Sequence, residues 1–528
     1  MSVIATVGLS VCLIATALGV VPGCLDDTSQ TSATGETSQE QGIKPDNAFS
    51  IASEAADISE NIGERPAVEM HVDQKNIESH EVSLSGLLRL GRLLFEARFN
   101  ALDGQGRPAS TGSGVPRPPS QPAFIRTSGP DSNSCAGCHA QPRMGGSGEF
   151  TTNVFVLAQE RDPVVRSVDA KDSNERGTTA LMGAGAIEML AREMSADLIA
   201  IREQAREQAR ASGVPATRIL RSKGVSFGSI TVLPDGRIDP RAVEGVDWDL
   251  IVKPFHQKGA VASLREFTNT ALNHHFGIQS VERFGQAVDA DEDGKVDELS
   301  VGDVTALTIF QAALDIPGRV VPRDRKRQMA AERGEVLFES IDCTNCHSPN
   351  MILNKPAFVE PGPYNPPGNL HPEDVSHPFA FDLTKEGIGP RLERLSDGRG
   401  VVHLFSDLKR HDLNDDEYHH FANERVPQGA LTGNTPGALY TEPPKPRPTA
   451  QFLTKPLWVV GNTDPYGHRG DLTTMTEAIF FHGGEARSSR DAFFELVPAD
   501  RASVIEFLKT LQILPAGATT LSVQQESE

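Results

Sequence analysis

The sequence predicts a mainly α protein of two similar halves, with loop insertions and a small β element in the first half. Apolar residues recur at helical spacing from Leu84 to Phe95 and from Val304 to Leu314. The run from Val225 to Ile238, with a turn at Pro234-Asp-Gly236, is typical of a strand pair. A Gly/Pro/Ser-rich stretch from Asp103 to Pro130 reads as an inserted loop.

A hexapeptide at the end of a predicted helix occurs twice. Gly91-Arg-Leu-Leu-Phe-Glu96 returns as Gly334-Glu-Val-Leu-Phe-Glu339. Each copy precedes a Cys-x-x-Cys-His segment, Cys135-Ala-Gly-Cys-His139 in the first half and Cys343-Thr-Asn-Cys-His347 in the second. The repeat therefore predicts one helix leading into one site in each half.

The Cys-x-x-Cys-His segments predict covalently bound haem. Two cysteines three apart lie on one side of a helical turn, so both thiolates can add to the vinyl groups of one porphyrin, and the histidine becomes the proximal iron ligand. Zinc would need two more ligands per site. We expect two c-type haems in two cytochrome c-like domains, attached through Cys135, Cys138, His139, Cys343, Cys346 and His347.

Composition sets further bounds. A chain of 528 residues is too long for one compact core, which predicts two or three domains. The formal net charge of −21 repels nucleic acid and excludes it as a partner; it would steer a basic redox partner, although a solvated acidic surface is the simpler explanation. Outside the haem segments the cysteines are Cys12 and Cys24, so no structural disulfide is expected.

The N-terminus predicts export. Residues 3–21 are almost wholly apolar, and Val21-Pro-Gly-Cys24 resembles a bacterial lipoprotein cleavage box. An uncleaved anchor or a plain cleaved signal are the alternatives. All three place the chain in the periplasm or cell envelope, and the first tethers it to the membrane through a lipidated Cys24. The predicted divisions are a signal (1–23), a disordered tether (24–60), the first domain (61–325), the second domain (326–515) and a disordered tail (516–528).

Several segments together resemble the dihaem oxidoreductase family of peroxidases and thiol oxidoreductases, relatives of the bacterial dihaem cytochrome c peroxidases. The resemblance spans roughly residues 85–512. It rests on these runs: Ala180-Leu-Met-Gly-Ala-Gly-Ala-Ile-Glu188, Phe405-Ser-Asp-Leu-Lys-Arg-His-Asp412, Phe452-Leu-Thr-Lys-Pro-Leu-Trp458, Pro465-Tyr-Gly-His-Arg-Gly470 and Thr473-Thr-Met-Thr-Glu-Ala-Ile-Phe-Phe-His-Gly-Gly-Glu-Ala486.

The resemblance implies a ligand for the second haem. His482 occupies the place where the peroxidases carry the methionine ligand of their C-terminal haem, which would give a His347/His482 electron-transfer centre. His468 is the alternative, or a partner of a haem propionate.

For the first haem, Met182, Met144 or His411 are candidate sixth ligands, or the position is open. By the resemblance, Glu188 lies where the peroxidases carry a catalytic glutamate, and we expect it to move protons between peroxide oxygens.

The expected function is that of an exported dihaem c-type oxidoreductase of peroxidase type, in which haem 2 relays electrons to a reactive haem 1. The expected partners are a soluble donor, such as a small cytochrome or cupredoxin, and a small oxidant such as peroxide. Trp248 and Trp458 are either core residues or relays between the haems. The alternatives are a dihaem electron-transfer protein without substrate chemistry and a redox partner that modifies another protein.

An acidic loop predicts a calcium site. Asp289, Asp291, Asp293 and Asp297 alternate around Gly294, which lets a loop curl its carboxylates around a hard cation. A full EF-hand would carry a glutamate where this chain has Ser300. A solvated acidic turn is the alternative. Related dihaem peroxidases hold calcium between their domains.

Overall fold

The computed structural model describes residues 64–106, 132–153, 175–291, 293–417, 439–442 and 448–526. The predicted signal, Cys24, the tether and most of the Asp103–Pro130 insertion lie outside these residues. Among the helices that are described, none is both long and apolar enough to cross a membrane.

Helices are the longest elements. They are α1 Gln74–Glu78, α2 Leu84–Glu96, α3 Cys135–Cys138, α4 Ala184–Ser212, α5 Leu264–Ala271, α6 Val281–Phe284, α7 Val301–Ala312, α8 Arg325–Ser340, α9 Met475–Phe480, α10 Arg487–Glu495 and α11 Pro498–Thr510. A single π-turn, Leu272–Phe276, follows α5 directly.

Local residues explain where the main helices begin. The Ser83 hydroxyl accepts from Gly86 N at the start of α2, and the Asp324 carboxylate accepts from Arg327 N at the start of α8. Ser300 and Asp303 form a reciprocal capping box at α7. The predicted helical segments at Leu84 and Val304 are thus confirmed as α2 and α7.

The strands are short and form small sheets of two or three strands within the described residues. They are β1 Gly148–Asn153, β2 Glu175–Thr178, β3 Ala216–Ser222, β4 Val225–Val232, β5 Ile238–Asp239, β6 Gly318–Val321, β7 Met351–Leu353, β8 Ala357–Glu360, β9 Phe379–Asp382, β10 Glu393–Arg394, β11 Gly400–Val402, β12 Arg410–Asp412, β13 Gln451–Leu453, β14 Leu511–Gln512 and β15 Ser522–Gln524.

The predicted strand pair is confirmed as β4 and β5, which are antiparallel and pair Val232 with Ile238. The prediction placed β structure in the first half alone, and that restriction is wrong. Strands β7 to β13 lie between residues 351 and 453, and most have two to four residues. Segments this short carry no alternation long enough to be read from sequence.

The tail was predicted to be disordered, and this is wrong for its described part. Ser522–Gln524 pairs in parallel with β6, while β14 pairs with the same strand in antiparallel orientation. The tail is ordered because its backbone pairs with one edge of β6, whose other edge pairs with β14. No apolar pattern in the tail sequence predicts this pairing.

The hexapeptide repeat corresponds to a repeated packing arrangement. α2 packs on α7 and α8 packs on α11. A Cβ atom on Gly91 would overlap Ala306 O, and one on Gly334 would overlap Ser503 O, so each glycine permits close helix contact. The ring centroids of Phe95 and Phe310 are 5.3 Å apart in the first pair. Those of Phe338 and Phe507 are 5.5 Å apart in the second.

Apolar side chains gather in one large core and a smaller one. The large core includes residues from both sides of the predicted boundary near 325, among them Leu353 and Val402. The smaller core is formed around Phe338, Phe493 and Phe507. The division into domains 61–325 and 326–515 stays a prediction.

We expect Gly91→Ala and Gly334→Ala each to lower the free energy of unfolding by about 1–3 kcal/mol, because the added methyl group meets rigid backbone of the facing helix. Urea unfolding measures the change. Gly86→Ala in α2 is the matched control, since its Cβ would lie 3.1 Å from the movable Val82 side chain. Equal stabilities for Gly86→Ala and Gly91→Ala would contradict the close packing.

Candidate functional site

The first Cys-x-x-Cys-His segment forms α3 and is followed by the partly buried ring of His139. His139 Nδ1 lies 3.3 Å from Gly146 O, and its ring centroid is 6.3 Å from that of Phe95 in α2. Burial lowers the pKa of His139 to about 4. The neutral ring therefore donates through Nδ1, and Nε2 is the nitrogen left with a lone pair for a metal.

The second segment repeats this arrangement. His347 Nδ1 lies 3.0 Å from Phe405 O, and its ring centroid is again 6.3 Å from the phenylalanine of the repeat, Phe338. Burial lowers the pKa of His347 to about 4, and the neighbouring charge of His482 adds to the lowering. Both histidines are thus held in the same tautomer. His139 lies beside α2 and His347 beside α8, the two helices that carry the repeated hexapeptide.

The cysteine side chains fit thioether attachment better than zinc. None of the four is in a disulfide among the described residues, and all four are partly exposed. Burial raises the pKa values of Cys135 and Cys343 to about 12, so both side chains are uncharged thiols when nothing is bound to them. Among the described residues, no group of three metal-binding side chains joins both cysteines of a segment to its histidine. The residues present therefore fit covalently attached haem.

His482 lies in the second site, after α9. Its Nδ1 is 2.8 Å from Ala478 O, which leaves Nε2 as the acceptor nitrogen, and burial lowers its pKa. It is also near enough to His347 to affect the pKa of that ring. His139 and His347 are held in the same tautomer. The Nε2 lone pair that it leaves on His482 suits an iron ligand.

His411 lies in the second site too, where a ring nitrogen is within 4.8 Å of the Cys346 sulfur and an Asp407 oxygen. Its Nδ1 is 2.8 Å from Glu485 Oε2 and its Nε2 is 2.7 Å from Asp407 Oδ2. Burial alone would lower its pKa, but the hydrogen bonds to Asp407 and others raise it to about 11. A charged ring with both nitrogens bonded to carboxylates has no lone pair for iron.

His468 and the methionines lie in apolar surroundings. His468 Nδ1 is 2.9 Å from Gln257 Oε1, and its ring meets the edge of Phe452 at 5.0 Å between centroids. Met182 is buried and close to Gly145, and Met144 packs against the same large core. Trp248 and Trp458 are buried in that core as well.

Glu188 is fully buried at the start of α4 and both of its carboxylate oxygens are engaged. Oε1 accepts from Arg192, and Oε2 accepts from Leu264 N at 2.8 Å. Arg192 lies 3.7 Å from Glu360, whose other oxygen is 3.0 Å from Arg265 Nη1. Burial raises the pKa of Glu360 to about 7, despite the two arginines. Glu188 is therefore part of a buried charge network, and its catalytic role stays a prediction.

The acidic loop brings together three of its four predicted ligands. Carboxylate oxygens of Asp289, Asp291 and Asp293 lie within 4.8 Å of one another. Asp297 adopts a left-handed φ of 54° and instead accepts from Ala287 N at 2.7 Å. The next residue, Glu298, instead accepts from Gln279 N through its Oε2 at 2.7 Å.

Gln279 joins Glu298 to the loop. Its side-chain nitrogen lies 2.6 Å from Asp291 Oδ1 and 2.9 Å from Glu298 Oε1. Asp291 is 3% exposed, and its Oδ2 has no hydrogen-bond partner among the described residues. Burial raises the pKa of Asp291 to about 7, with Asp293 and Asp289 adding to it, and burial raises that of Glu298 to about 9. Concentrated, poorly solvated negative charge of this kind suits a cation.

Sequence reasoning missed the π-turn near the first site. Its two histidines, His274 and His275, stack with ring centroids 4.7 Å apart. Burial is the main cause of the low pKa of His139, and the charge of the nearby His275 lowers that pKa further. Paired histidines at a helix end are a visible signal, but nothing local connects them to a motif 136 positions earlier.

The comparisons with known proteins bear on the C-terminal part of the chain. Residues 448–511 match the family model described as "Di-haem oxidoreductase, putative peroxidase". The chain is similar to di-haem oxidoreductases in this segment. The predicted resemblance is thereby confirmed, and the matched di-haem oxidoreductase segment contains Trp458, His468 and His482. The comparison with curated proteins found no match.

Two solved structures are distantly similar. A hydrazine synthase chain of Kuenenia stuttgartiensis, pressurised with xenon, is 16% identical with a TM-score of 0.33, covering 93% of this chain and 100% of its own. A MauG-like protein associated with microbial copper homeostasis is 17% identical with a TM-score of 0.23, covering 48% of this chain and 68% of its own.

Proposed function

We propose that this chain is an exported dihaem c-type oxidoreductase of peroxidase type. The observation that carries the proposal is the duplicated site, in which a Cys-x-x-Cys-His segment, a Phe-bearing helix and a histidine held through Nδ1 occur twice. The match of residues 448–511 to the di-haem oxidoreductase family model supports it independently.

The chain's own residues would have distinct tasks. Cys135, Cys138 and His139 would hold the first haem, and Cys343, Cys346 and His347 would hold the second, with His482 as a further ligand of its iron. The bound haems would supply one-electron chemistry, with the second accepting electrons from a donor and the first reducing the oxidant. Backbone carbonyls fix both proximal rings, because Gly146 O and Phe405 O accept from their Nδ1–H groups.

Trp458 is our candidate for a relay between the sites. It is 2% exposed, and a Cβ atom on Gly183 would overlap its ring. The preceding residue, Leu457, packs against the smaller core and donates from N to Leu404 O at 3.0 Å. Neighbouring residues of one short segment thus contact both cores, which suits a connection between the two haems.

Absorption and EPR spectra of the ferric and half-reduced protein test the function. We expect one low-spin haem and one high-spin haem, with a high-spin signal that changes when hydrogen peroxide is added. Two low-spin haems that peroxide leaves unchanged would instead identify an electron-transfer protein without substrate chemistry.

The proposed partners and location follow from charge and cysteine chemistry. A small basic cytochrome or a cupredoxin suits a chain of net charge −21, because opposite charges speed association. Covalent haem attachment takes place outside the cytoplasm, so the proposal includes a periplasmic or cell-envelope location with a lipidated Cys24.

The proposal also includes Ca²⁺ at the acidic loop, with Asp289, Asp291 and Asp293 as ligands. The partnerless Oδ2 of the buried Asp291 and the raised pKa values of Asp291 and Glu298 support it. Gly106 belongs to the same site, because a Cβ there would overlap Asp291 Oδ2. The first described residues of the insertion that leads to Cys135 are thus packed on the loop.

We expect the calcium-free protein to lose stability as pH rises from about 4 to about 9. Asp291 and Glu298 have raised pKa values of about 7 and 9, so the folded state binds more protons than the unfolded chain over this range. At pH 8, Ca²⁺ at a hundred times its Kd should restore about 2.7 kcal/mol, measured by thermal unfolding.

Asp297→Asn is the control for this experiment, because its side chain faces Ala287 N rather than the other carboxylates. It should keep the response to Ca²⁺, whereas Asp291→Asn should lose it. A protein whose melting temperature is the same with Ca²⁺ and with a chelator would show the loop to be a solvated acidic turn.

A further inference from the structure

Peroxide reduction needs a group that moves a proton between the two oxygens. Glu188 is poorly suited, because Arg192 and Leu264 N already occupy its two oxygens within a buried network. A second titratable side chain lies near His139. It is His275, which belongs to the π-turn and is half-buried.

The π-turn is tied to the first haem segment. Ser132 N, three residues before Cys135, donates to His275 O at 3.2 Å. Phe276 packs against Phe99, just beyond α2, with ring centroids 5.5 Å apart. Single π-turns within helices are frequent at functional sites, since the extra residue redirects neighbouring side chains. Here the residues so placed are the stacked pair His274 and His275.

Asn273 is the second observation that points to a ligand at this turn. It is 2% exposed, and neither its side-chain oxygen nor its side-chain nitrogen has a hydrogen-bond partner among the described residues. A buried amide left this way is energetically unfavourable, because it has lost its hydrogen bonds to water and gained none in return. Such a cost is typical of a place where a bound molecule supplies the missing partners.

We propose that the π-turn lines the oxidant pocket of the first haem and that His275 is its proton-transferring catalytic residue. This inference rests on the proposed function. An imidazole nitrogen of His275 takes a proton from one oxygen of hydrogen peroxide and gives it to the other, the far oxygen. The O–O bond then breaks and the far oxygen leaves as water. Two electrons from the cytochrome or cupredoxin donor and two protons from solvent convert the other oxygen to a second water.

His275→Ala and His275→Gln test the assignment in the full chain carrying two haems. Peroxide turnover should fall by about 10²–10⁴-fold, with kcat affected more than KM. His403→Ala is the control, because this histidine is 43% exposed, pairs with Glu393 and lies outside the π-turn. It should stay within tenfold of the unsubstituted protein, and comparable losses in His403→Ala and His275→Ala would overturn the proposal.

Cyanide binding to the ferric protein gives a readout other than turnover. Hydrogen cyanide must lose its proton to bind iron, so removal of a distal base should slow association by about tenfold or more. The cyanide experiment tests the role of His275 even if peroxide proves not to be the substrate. A failure of the proposed function can therefore be distinguished from a failure of the His275 assignment. An unchanged cyanide rate in His275→Ala would overturn the assignment. So would a new high-spin signal in that variant, because it would make His275 an iron ligand.

Discussion

His482→Ala is expected to convert one of the two haems from low spin to high spin. His482 Nδ1 lies 2.8 Å from Ala478 O, so Nε2 is left to bind iron, and the ring is near enough to His347 to affect its pKa. Removing one of two strong axial ligands leaves the iron five-coordinate. EPR of the ferric protein should show about one haem equivalent of new high-spin signal. Added imidazole should reverse it.

His482→Met keeps six-coordination and raises the reduction potential of the second haem, by some part of the ~0.8 V over which axial ligands tune haem. His468→Ala is the matched control, because that ring is bonded to Gln257 and packs on Phe452. A low-spin signal that survives His482→Ala undiminished would refute the ligand assignment.

Glu188→Gln is expected to lower the free energy of unfolding by about 3–5 kcal/mol, because it leaves Arg192 as an incompletely paired buried charge. Arg192 and Glu188 side chains are 8% and 0% exposed. Glu360, at 3.7 Å, is too far to replace the lost bond. Urea unfolding followed by circular dichroism measures the loss.

Glu203→Gln in the same helix is the control. Glu203 pairs with Arg202 at 2.9 Å but is 41% exposed, so the expected cost is about 0–1 kcal/mol. If Glu188→Gln were as stable as Glu203→Gln and lost turnover, Glu188 would be the catalytic group predicted from sequence and not a structural one.

The haem segments and the helices before them could be predicted because their signals are local. Cys135 to His139 is a contiguous motif, and the apolar spacing from Leu84 to Phe95 spans a whole helix. The same reasoning could not reach His275, whose relation to His139 exists only after folding. In the acidic loop, Asp297 has a left-handed backbone, and its carboxylate accepts from Ala287 N rather than joining the other three. Sequence spacing does not contain that backbone choice.

The paired helices also bear on how the chain reaches its final form. α2 packs on α7, and the chain between them makes up most of the first half of the sequence. α8 packs on α11, and the chain between them makes up most of the second half. Contacts between such distant segments form slowly, because a long loop must be closed before they stabilise anything. Both Cys-x-x-Cys-His segments lie inside these loops. The cysteines are therefore accessible during the interval before the helices meet, and the proposed haem attachment would take place on this still-open chain.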